Sequence, residues 1–548
     1  MHGTSAVAAE LARALAAAGV RWVFGIPGRP LLPLVDALRI QGVSYVLTSH
    51  ETGAGFMADT VGRLTGAPGA CLSTLGPGAL NMLNGVANAY LDRSPVLALA
   101  AQVPAAQYGR AVQMHVDQRR MYESVTKATF VLWPDRVGEI VAEASALATH
   151  GVPGPVYIEL PRDIWDKPVP ETRGPGVQAA AAASRARLPA GFFAAGPAEP
   201  GRPAAIEAVL RRLREATRPI AVFGLGARGV GAESTSLVRK HRLPAFTTLM
   251  AKGVVPEDDP WDAGVLGKAG GPPQQAFVKR ADLVVAVGYD PVELWPDEWA
   301  APDAPFIVLE ETTAELPGRK VALRVTGDLP QALTTLAEAE PLPARWDEGE
   351  VSDLRQRLLA EHRSTSPRLA PQDVLAALRA WLPRDGILAC DVGAHHHLAG
   401  QLWTAYAPND FLISNGHSSM GFALPAAIGA KLVCPARRVA AYCGDGAFAM
   451  SLGELATAAR LKLPLIVVVV VDGSLNLIRL EQEHEGFAPH GVFLEPEAWE
   501  MSGRFFGATF VTVRSKDDLA DALQGAGARH GPTVILAHVD PDQYRHIG

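Results

Sequence analysis

Gly444-Asp445-Gly446 follows the apolar run Val439 to Cys443, and Asp472 stands 27 positions beyond Asp445 at the end of a second apolar run, Leu465 to Val471. Two acidic side chains at the carboxyl ends of two buried strands make an oxygen-rich site for a hard cation, and the flanking glycines let backbone approach a ligand. A divalent metal bridging to a diphosphate uses both features. Gly-Asp-Gly alone is also ordinary turn chemistry, so the weight lies on the pairing of Asp445 with Asp472. Glu51 is a second candidate. At the start of the helix-like segment Thr52 to Leu64 it either complements the helix dipole or, if desolvated, holds a proton for catalysis.

The elements that must carry these residues alternate between helix-like and strand-like segments, the pattern of parallel sheets covered by helices. In the first block Ala6 to Ala18 and Leu31 to Leu38 read as helices, and Trp22 to Gly25, Ser44 to Leu47 and Gly69 to Thr74 as strands. In the last, Gly386 to Cys390, Arg438 to Cys443, Leu465 to Val471 and Thr533 to Ala537 read as strands, as if the outer blocks were duplicates. Two stretches divide the chain: Glu171 to Pro203, rich in Ala, Gly and Pro with little periodicity, and Glu340 to Ser366, which mixes Pro, charges and a short amphipathic segment. With 548 residues, more than one core usually serves, the expected architecture is α/β with three doubly wound parallel-sheet domains over 1-170, 200-340 and 367-548.

Composition narrows the partners. A net charge of -7 leaves no footprint for nucleic acid or an anionic membrane. The longest apolar run, Leu463 to Val471, falls far short of the roughly 20 residues of a membrane span, so no membrane partner is expected. Met1 to Glu10 lacks the basic and apolar segments of a secretory signal, and Cys71, Cys390, Cys434 and Cys443 show no metal-ligand spacing. A cytoplasmic location is the expectation.

The middle block carries Gly224, Gly226 and Gly229 after the strand-like Pro219 to Val222, a dinucleotide fingerprint that would open a helix. The next strand, Pro244 to Thr248, ends without the acid that would bind a ribose, which argues against a nicotinamide site.

Four groups of residues together resemble the thiamine-diphosphate enzymes, in their acetolactate-synthase-like branch. They are His50-Glu51, the turn Gly76 to Asn81, Ser418 to Pro425, and the spacing from Gly444 to Asp472; the similarity runs from about Ala6 to Val539. The resemblance implies pyrimidine-binding, central Rossmann-like and diphosphate-binding domains. It implies Mg2+ held by Asp445, Asp472 and the Ser474 carbonyl, and a diphosphate met by Gly393, His395, Gly444, Gly446 and Ala447, with Leu475 nearby. Ser418 and Met420 would hold the aminopyrimidine, although Met420 also suits a plain core filler. Glu51 would activate the coenzyme, with Pro27, Gly76 and Asn81 around it. Of the three adjacent histidines His395 is assigned to the cofactor, whereas His396 and His397, on opposite faces if the segment is a strand, stay unassigned.

The implied reaction is loss of CO2 from a 2-oxo acid, followed by transfer of the acyl-anion equivalent to a carbonyl acceptor. Val287 to Glu293 resembles flavin-independent relatives, so no FAD is expected. The family's site joins Glu51 of one subunit to Asp445 of another, which implies a homodimer at minimum and a homotetramer among many relatives. Around the substrate, Gly28, Arg29, Gln102 and His115 are candidates. Arg29 is either a receptor for carboxylate or phosphate or a solvated loop residue, and His115 either an acid-base group or an interface residue. Glu481 replaces the Trp or Gln of relatives. Leu72 to Gln102, notably Leu91 to Gln102, with Gly28-Arg29 also resembles carboxyethylarginine synthase, which implies the alternative of an acyl-transferring enzyme with an aldehyde or sugar phosphate donor. A catalytically silent binding protein is a third reading, against which the intact Glu51, Asp445 and Asp472 stand.

Overall fold

The computed structural model describes residues 5–169 and 203–544, apart from 268–269, 295–302, 312–315, 317, 344 and 528. The segment Glu171 to Pro203 therefore lies almost wholly outside the described residues. Three sheets are present. The first holds β1 (Trp22–Gly25), β2 (Ser44–Leu47), β3 (Gly69–Ser73), β4 (Val96–Gln102), β5 (Ala128–Val131) and β6 (Pro155–Pro161), all parallel, in the order β2-β1-β3-β4-β6-β5. The second holds β7 (Pro219–Phe223), β8 (Ala245–Thr247), β9 (Asp262–Val265), β10 (Leu283–Val287), β11 (Phe306–Glu310) and β12 (Val321–Thr326), in the order β12-β11-β10-β7-β8-β9. The third holds β13 (Ile387–Cys390), β14 (Phe411–Ile413), β15 (Val439–Gly444), β16 (Ile466–Val471), β17 (Gly503–Phe505), β18 (Ala508–Val513) and β19 (Thr533–His538), in the order β14-β13-β15-β16-β19-β18-β17. Among the described strand pairs within the three sheets only β17–β18 is antiparallel.

Continuous apolar runs make the central strands. All six residues of β16, an isoleucine and five valines, are buried, as a parallel strand covered on both faces requires. In each sheet the strand order reverses direction, between β1 and β3, between β10 and β7, and between β13 and β15. At such switch points the loops leaving the strands diverge and open a crevice at their carboxyl ends.

The described residues pack as two compact units. One comprises the chain up to residue 169 together with 416–435 and 451–463; the other comprises the remainder from residue 203. In the first, helices Glu51–Thr65 and Pro77–Leu91 approach closely through glycine, because a Cβ on Gly55 would stand 2.7 Å from the Cα of Gly85. A buried ionic network joins the same helices. Arg63 pairs with Asp59 and, at 2.7 Å, with Asp92, while the Asn88 amide donates to Asp59. Removing one member of such a network leaves a buried charge, which is why it persists despite its desolvation cost.

Two sequence expectations are refined. The short amphipathic segment expected in the divider Glu340 to Ser366 is a full helix, Glu348–Glu361, with Val351, Leu354 and Leu358 buried. Asp347 and Glu350 form a capping box at its start, and Arg355 pairs with Asp262 at 2.7 Å, so reciprocal capping stabilises a segment whose composition looked irregular. The three histidines sit on helix Ala394–Leu402, not on a strand. Gly393, at φ 154°, turns the chain immediately after β13, and its N–H donates to the His396 Nδ1 atom at 3.1 Å.

Candidate active site

In the second unit, three neighbouring strands deliver one constellation. β15 ends at Gly444 and places Asp445 at the start of the seven-residue helix Asp445–Ser451, with Gly446 and Ala447 in its first turn. Asp445 is 2 % exposed, and both its oxygens are fixed by backbone. One accepts from Gly446 N–H at 2.8 Å and the other from Gly473 N–H at 3.0 Å, which ties the ends of β15 and β16 together. Asp472, the residue after β16, accepts from Ser474 N–H at 3.2 Å. Burial raises the proton affinity of both acids. Asp472 is pushed up to about 7, with the charge of Asp445 as the second cause. Two desolvated carboxylates that repel each other are the donor set a divalent cation relieves. Among the described residues no three His, Cys, Asp or Glu side chains gather at one point, so an ion here would take its remaining ligands from backbone and from the ligand's own oxygens.

His395 completes this side. Its ring lies between the two glycine turns: a Cβ on Gly393 would stand 2.9 Å from it and one on Gly444 3.4 Å. Burial, with His396 beside it, pushes His395 down to about 3, so it is a neutral imidazole, and its buried Nε2 has no partner among the described residues. The Ser474 hydroxyl is likewise buried without a partner among the described residues. Unsatisfied buried polar atoms are costly, and a bound ligand with oxygen atoms would satisfy them. The Leu475 N–H is already engaged by Val492 O at 2.7 Å.

In the first unit the crevice lies at the carboxyl ends of β1, β2 and β3. Glu51 starts its helix, is 6 % exposed, and accepts from the Asn81 amide at 3.1 Å. The Thr52 hydroxyl donates to Asn81 O at 2.6 Å, so the two helix starts are stitched together. Gly76, at φ 64°, makes the turn after β3 that only glycine tolerates well, and its N–H donates to the Gln118 side chain at 2.7 Å. Gln118, fully buried, also donates to Ala101 O and the Tyr157 hydroxyl. A Cβ on Gly28 would meet Thr74 Oγ1 at 2.5 Å, which fixes the loop after β1 against the one after β3. Pro27 and Arg29 are exposed beside it.

The loop bearing Ser418 and Met420 packs in this same unit. Asp92 accepts from Gly416 N–H at 2.7 Å, and Asn84 bonds His417 at 2.9 Å and Ser419 at 3.1 Å. Ser418 sits at φ 50°, a left-handed conformation that costs energy for a residue with a Cβ and is held here by the surrounding bonds.

Gln102 and His115 are brought together and are engaged within the fold. His115 Nδ1 donates to Gln102 Oε1 at 3.1 Å, and His115 Nε2 accepts from Gly109 N–H at 3.1 Å. The Gln102 amide reaches Glu159 at 3.2 Å and Val116 O at 3.1 Å. This arrangement braces the loop between β4 and Gln118.

Three matches to family models cover the chain: the N-terminal thiamine pyrophosphate binding domain of thiamine pyrophosphate enzymes over residues 5–121, their central domain over 206–336, and their C-terminal binding domain over 391–537. The chain belongs to the thiamine-diphosphate enzymes. Among similar proteins, an acetolactate synthase large subunit of Parasynechococcus marenigrum is 33 % identical, covering 97 % of this chain and 87 % of its own. An acetolactate synthase of Bacillus subtilis is 31 % identical over 95 % of this chain and 91 % of its own. A probable 2-ketoarginine decarboxylase of Pseudomonas aeruginosa is 32 % identical over 96 % and 92 %. These identities over nearly the whole length put this thiamine-diphosphate enzyme in the acetolactate-synthase-like branch. Among the described residues no helix is long and apolar enough to cross a membrane.

The site also contains residues that the sequence did not disclose. Glu454, Gln118 and the Arg63 network hold candidate residues from positions distant in the chain, and no local motif marks them. In the central sheet the glycine fingerprint leads into a three-residue 3-10 turn, Leu225–Ala227, before helix Gly231–His241 begins. A different acid reaches the glycine turn: Glu293, buried, accepts from Leu225 N–H at 2.8 Å and from the Thr248 hydroxyl.

Proposed function

We infer that the chain is a thiamine-diphosphate- and Mg2+-dependent enzyme that decarboxylates a 2-oxo acid and passes the acyl unit to a carbonyl acceptor. The observation that carries this reading is the convergence of Asp445, Asp472 and the unpartnered His395 at the ends of three adjacent strands, in a chain whose other unit holds the buried Glu51 against Asn81. When bound, thiamine diphosphate supplies the electron sink that lets CO2 leave. Asp445, Asp472 and the Ser474 carbonyl would hold Mg2+; Gly393, His395, Gly444, Gly446 and Ala447 would receive the diphosphate. Ser418 and Met420 would orient the aminopyrimidine, with Pro27, Gly28 and Gly76 shaping the cavity and Leu475 at its edge. Glu51 would hold and return a proton. Gln102 and His115 are assigned the task of bracing the substrate loop.

The domain limits 1-170, 200-340 and 367-548, the homodimer or homotetramer, and the cytoplasmic setting belong to the same reading. Their support is the family resemblance.

A titration of the protein with thiamine diphosphate and Mg2+, followed by near-UV circular dichroism, tests the cofactor, and CO2 release from a panel of 2-oxo acids tests the donor. Saturable uptake and turnover of pyruvate or of a guanidino 2-oxo acid are expected. Absence of uptake in the presence of Mg2+ refutes the reading. A second donor class, one bearing a phosphate, is favoured by Arg29, which is exposed beside Gly28 and pairs with no acid among the described residues. For such a donor Arg29→Ala should raise KM about tenfold or more with kcat nearly unchanged, since a lost charge-assisted contact costs roughly 1.5–3 kcal/mol. An unchanged KM removes this class.

The central crevice, in this reading, holds neither FAD nor a nicotinamide nucleotide. Its support is the placement of Glu293, whose Oε1 would lie 2.7 Å from a Cβ on Gly224 and occupies the N–H that a phosphate would use. Burial pushes the Glu293 carboxyl up to about 8, well above an unfolded glutamate. The folded state therefore holds this proton more tightly, and the stability it contributes is complete below about pH 4.5 and is lost as pH rises toward 8. Glu293→Gln should match wild type near pH 5 and exceed it near pH 8 in thermal midpoint. Parallel curves for the two proteins across that window would contradict the assignment.

A further inference from the structure

Glu454 opens the short helix Glu454–Arg460 and is 2 % exposed. One carboxylate oxygen accepts the backbone N–H groups of both Ser49 and His50, each at 3.0 Å; the other accepts the Thr457 hydroxyl at 2.7 Å. Ser49 and His50 are the two residues before Glu51, where the chain leaves β2 and enters its helix. The first N–H groups of a helix have no partner within it, and the His50 ring meets one of them by accepting from Thr52 N–H at 3.2 Å. Glu454 meets another, that of His50 at the N-cap, together with the Ser49 N–H just before it, from 404 positions away and with its charge where the helix dipole favours an anion. The fit is close: a Cβ on Gly53 would stand 2.5 Å from Glu454 Oε1, so the first turn must carry glycine to admit this carboxylate.

The bonding is directed at the backbone that aims Glu51. The Ser49 hydroxyl also donates to Gly453 O at 2.7 Å, so the strand-to-helix turn and the start of the Glu454 helix are joined at two adjacent points. Among the described residues the Asn81 amide is the one donor to the Glu51 carboxylate, and its contact at 3.1 Å depends on where the helix begins. We propose that Glu454 is a positioning residue for coenzyme activation: it fixes the start of helix Glu51–Thr65 so that the Glu51 carboxyl is presented in one orientation. The inference rests on the reading of Glu51 given above.

Exchange of the thiazolium C2 proton with deuterated solvent, measured by quenching and NMR on the holoenzyme, reads activation without turnover; cofactor affinity is measured alongside. Glu454→Ala should slow exchange at least tenfold while the thiamine diphosphate Kd changes less than threefold. Glu454→Gln, whose amide oxygen can still accept both N–H groups while the Thr457 hydroxyl turns to accept, should stay within threefold of wild type in both. A merely structural role would move the thermal midpoint and leave exchange alone, so wild-type exchange in Glu454→Ala overturns the proposal. Should Glu454→Ala fail to fold, Gly53→Ala decides, because its methyl displaces the same carboxylate: slowed exchange supports the proposal and wild-type exchange overturns it. Glu51→Gln in the same assay separates the two ideas. If Glu51→Gln exchanges normally, the Glu51 reading itself fails; if it is slow while Glu454→Ala is not, only the present inference fails.

Discussion

Glu51→Gln is expected to lower kcat by about two to four orders of magnitude while leaving uptake of thiamine diphosphate and Mg2+ within a few-fold of wild type. The two side chains share a shape, so the Asn81 contact at 3.1 Å can persist through the amide oxygen and the helix start remains capped by Glu454. What disappears is a group able to give up and recover a proton. The site makes that loss severe, because Glu51 is 6 % exposed and water has little access to substitute for it. The metal and diphosphate contacts proposed for Asp445, Asp472 and His395 lie in the other unit and are untouched by the change. A fall in kcat with unchanged cofactor Kd is therefore the signature of lost proton chemistry, whereas a parallel fall in both would point to a role in binding. Turnover within threefold of wild type would remove Glu51 from the mechanism.

The parts legible in the sequence are those written in local pattern. The β16 run of aliphatic residues and the glycine turns at Gly76 and Gly444 announced buried strands that end in ligand loops, and the Asp445 to Asp472 spacing placed two acids at neighbouring strand ends. Local pattern also misled. Three histidines after a strand looked like its continuation, yet Gly393 turns the chain and the His396 ring caps the helix that follows. The segment after Glu340 showed its amphipathic stretch but not its full length, which depends on the Asp347–Glu350 capping box.

What stayed hidden depends on tertiary approach. Glu293 comes to the glycine turn across the switch point between β10 and β7, 68 positions from Leu225, and Glu454 reaches His50 across 404. Nothing local distinguishes either from a surface glutamate. Both are betrayed in the structure by the same physical sign, a carboxylate removed from water and supplied with backbone N–H donors. One fills a crevice and the other aims a side chain, a distinction that rests on what lies beside the bonded backbone.

Asp445 and Asp472, although both proposed as metal ligands, should respond unequally to the same change. Each oxygen of Asp445 accepts a backbone N–H, from Gly446 and from Gly473. In Asp445→Asn the amide nitrogen must face one of these donors, so the turn joining β15 to β16 distorts as a charge is lost from the metal. Uptake of thiamine diphosphate should weaken at least about a hundredfold, roughly 2.7 kcal/mol. Asp472 carries a lighter load, one N–H at 3.2 Å and a long contact from the Asn476 amide at 3.5 Å, so an asparagine can keep its oxygen toward the metal. Asp472→Asn should cost about tenfold, much of it recoverable with excess Mg2+ because only ligand charge has been lost. Without cofactor the effect of Asp472→Asn changes sign. Two buried carboxylates repel each other, and neutralising Asp472 removes that cost without disturbing the turn, so the apo form of Asp472→Asn should melt higher than wild type. Calorimetry of each variant, with Mg2+ and after chelation, reads both effects. Equal losses in the two variants, or an apo Asp472→Asn that melts lower, would mean that the acids do not share one cation.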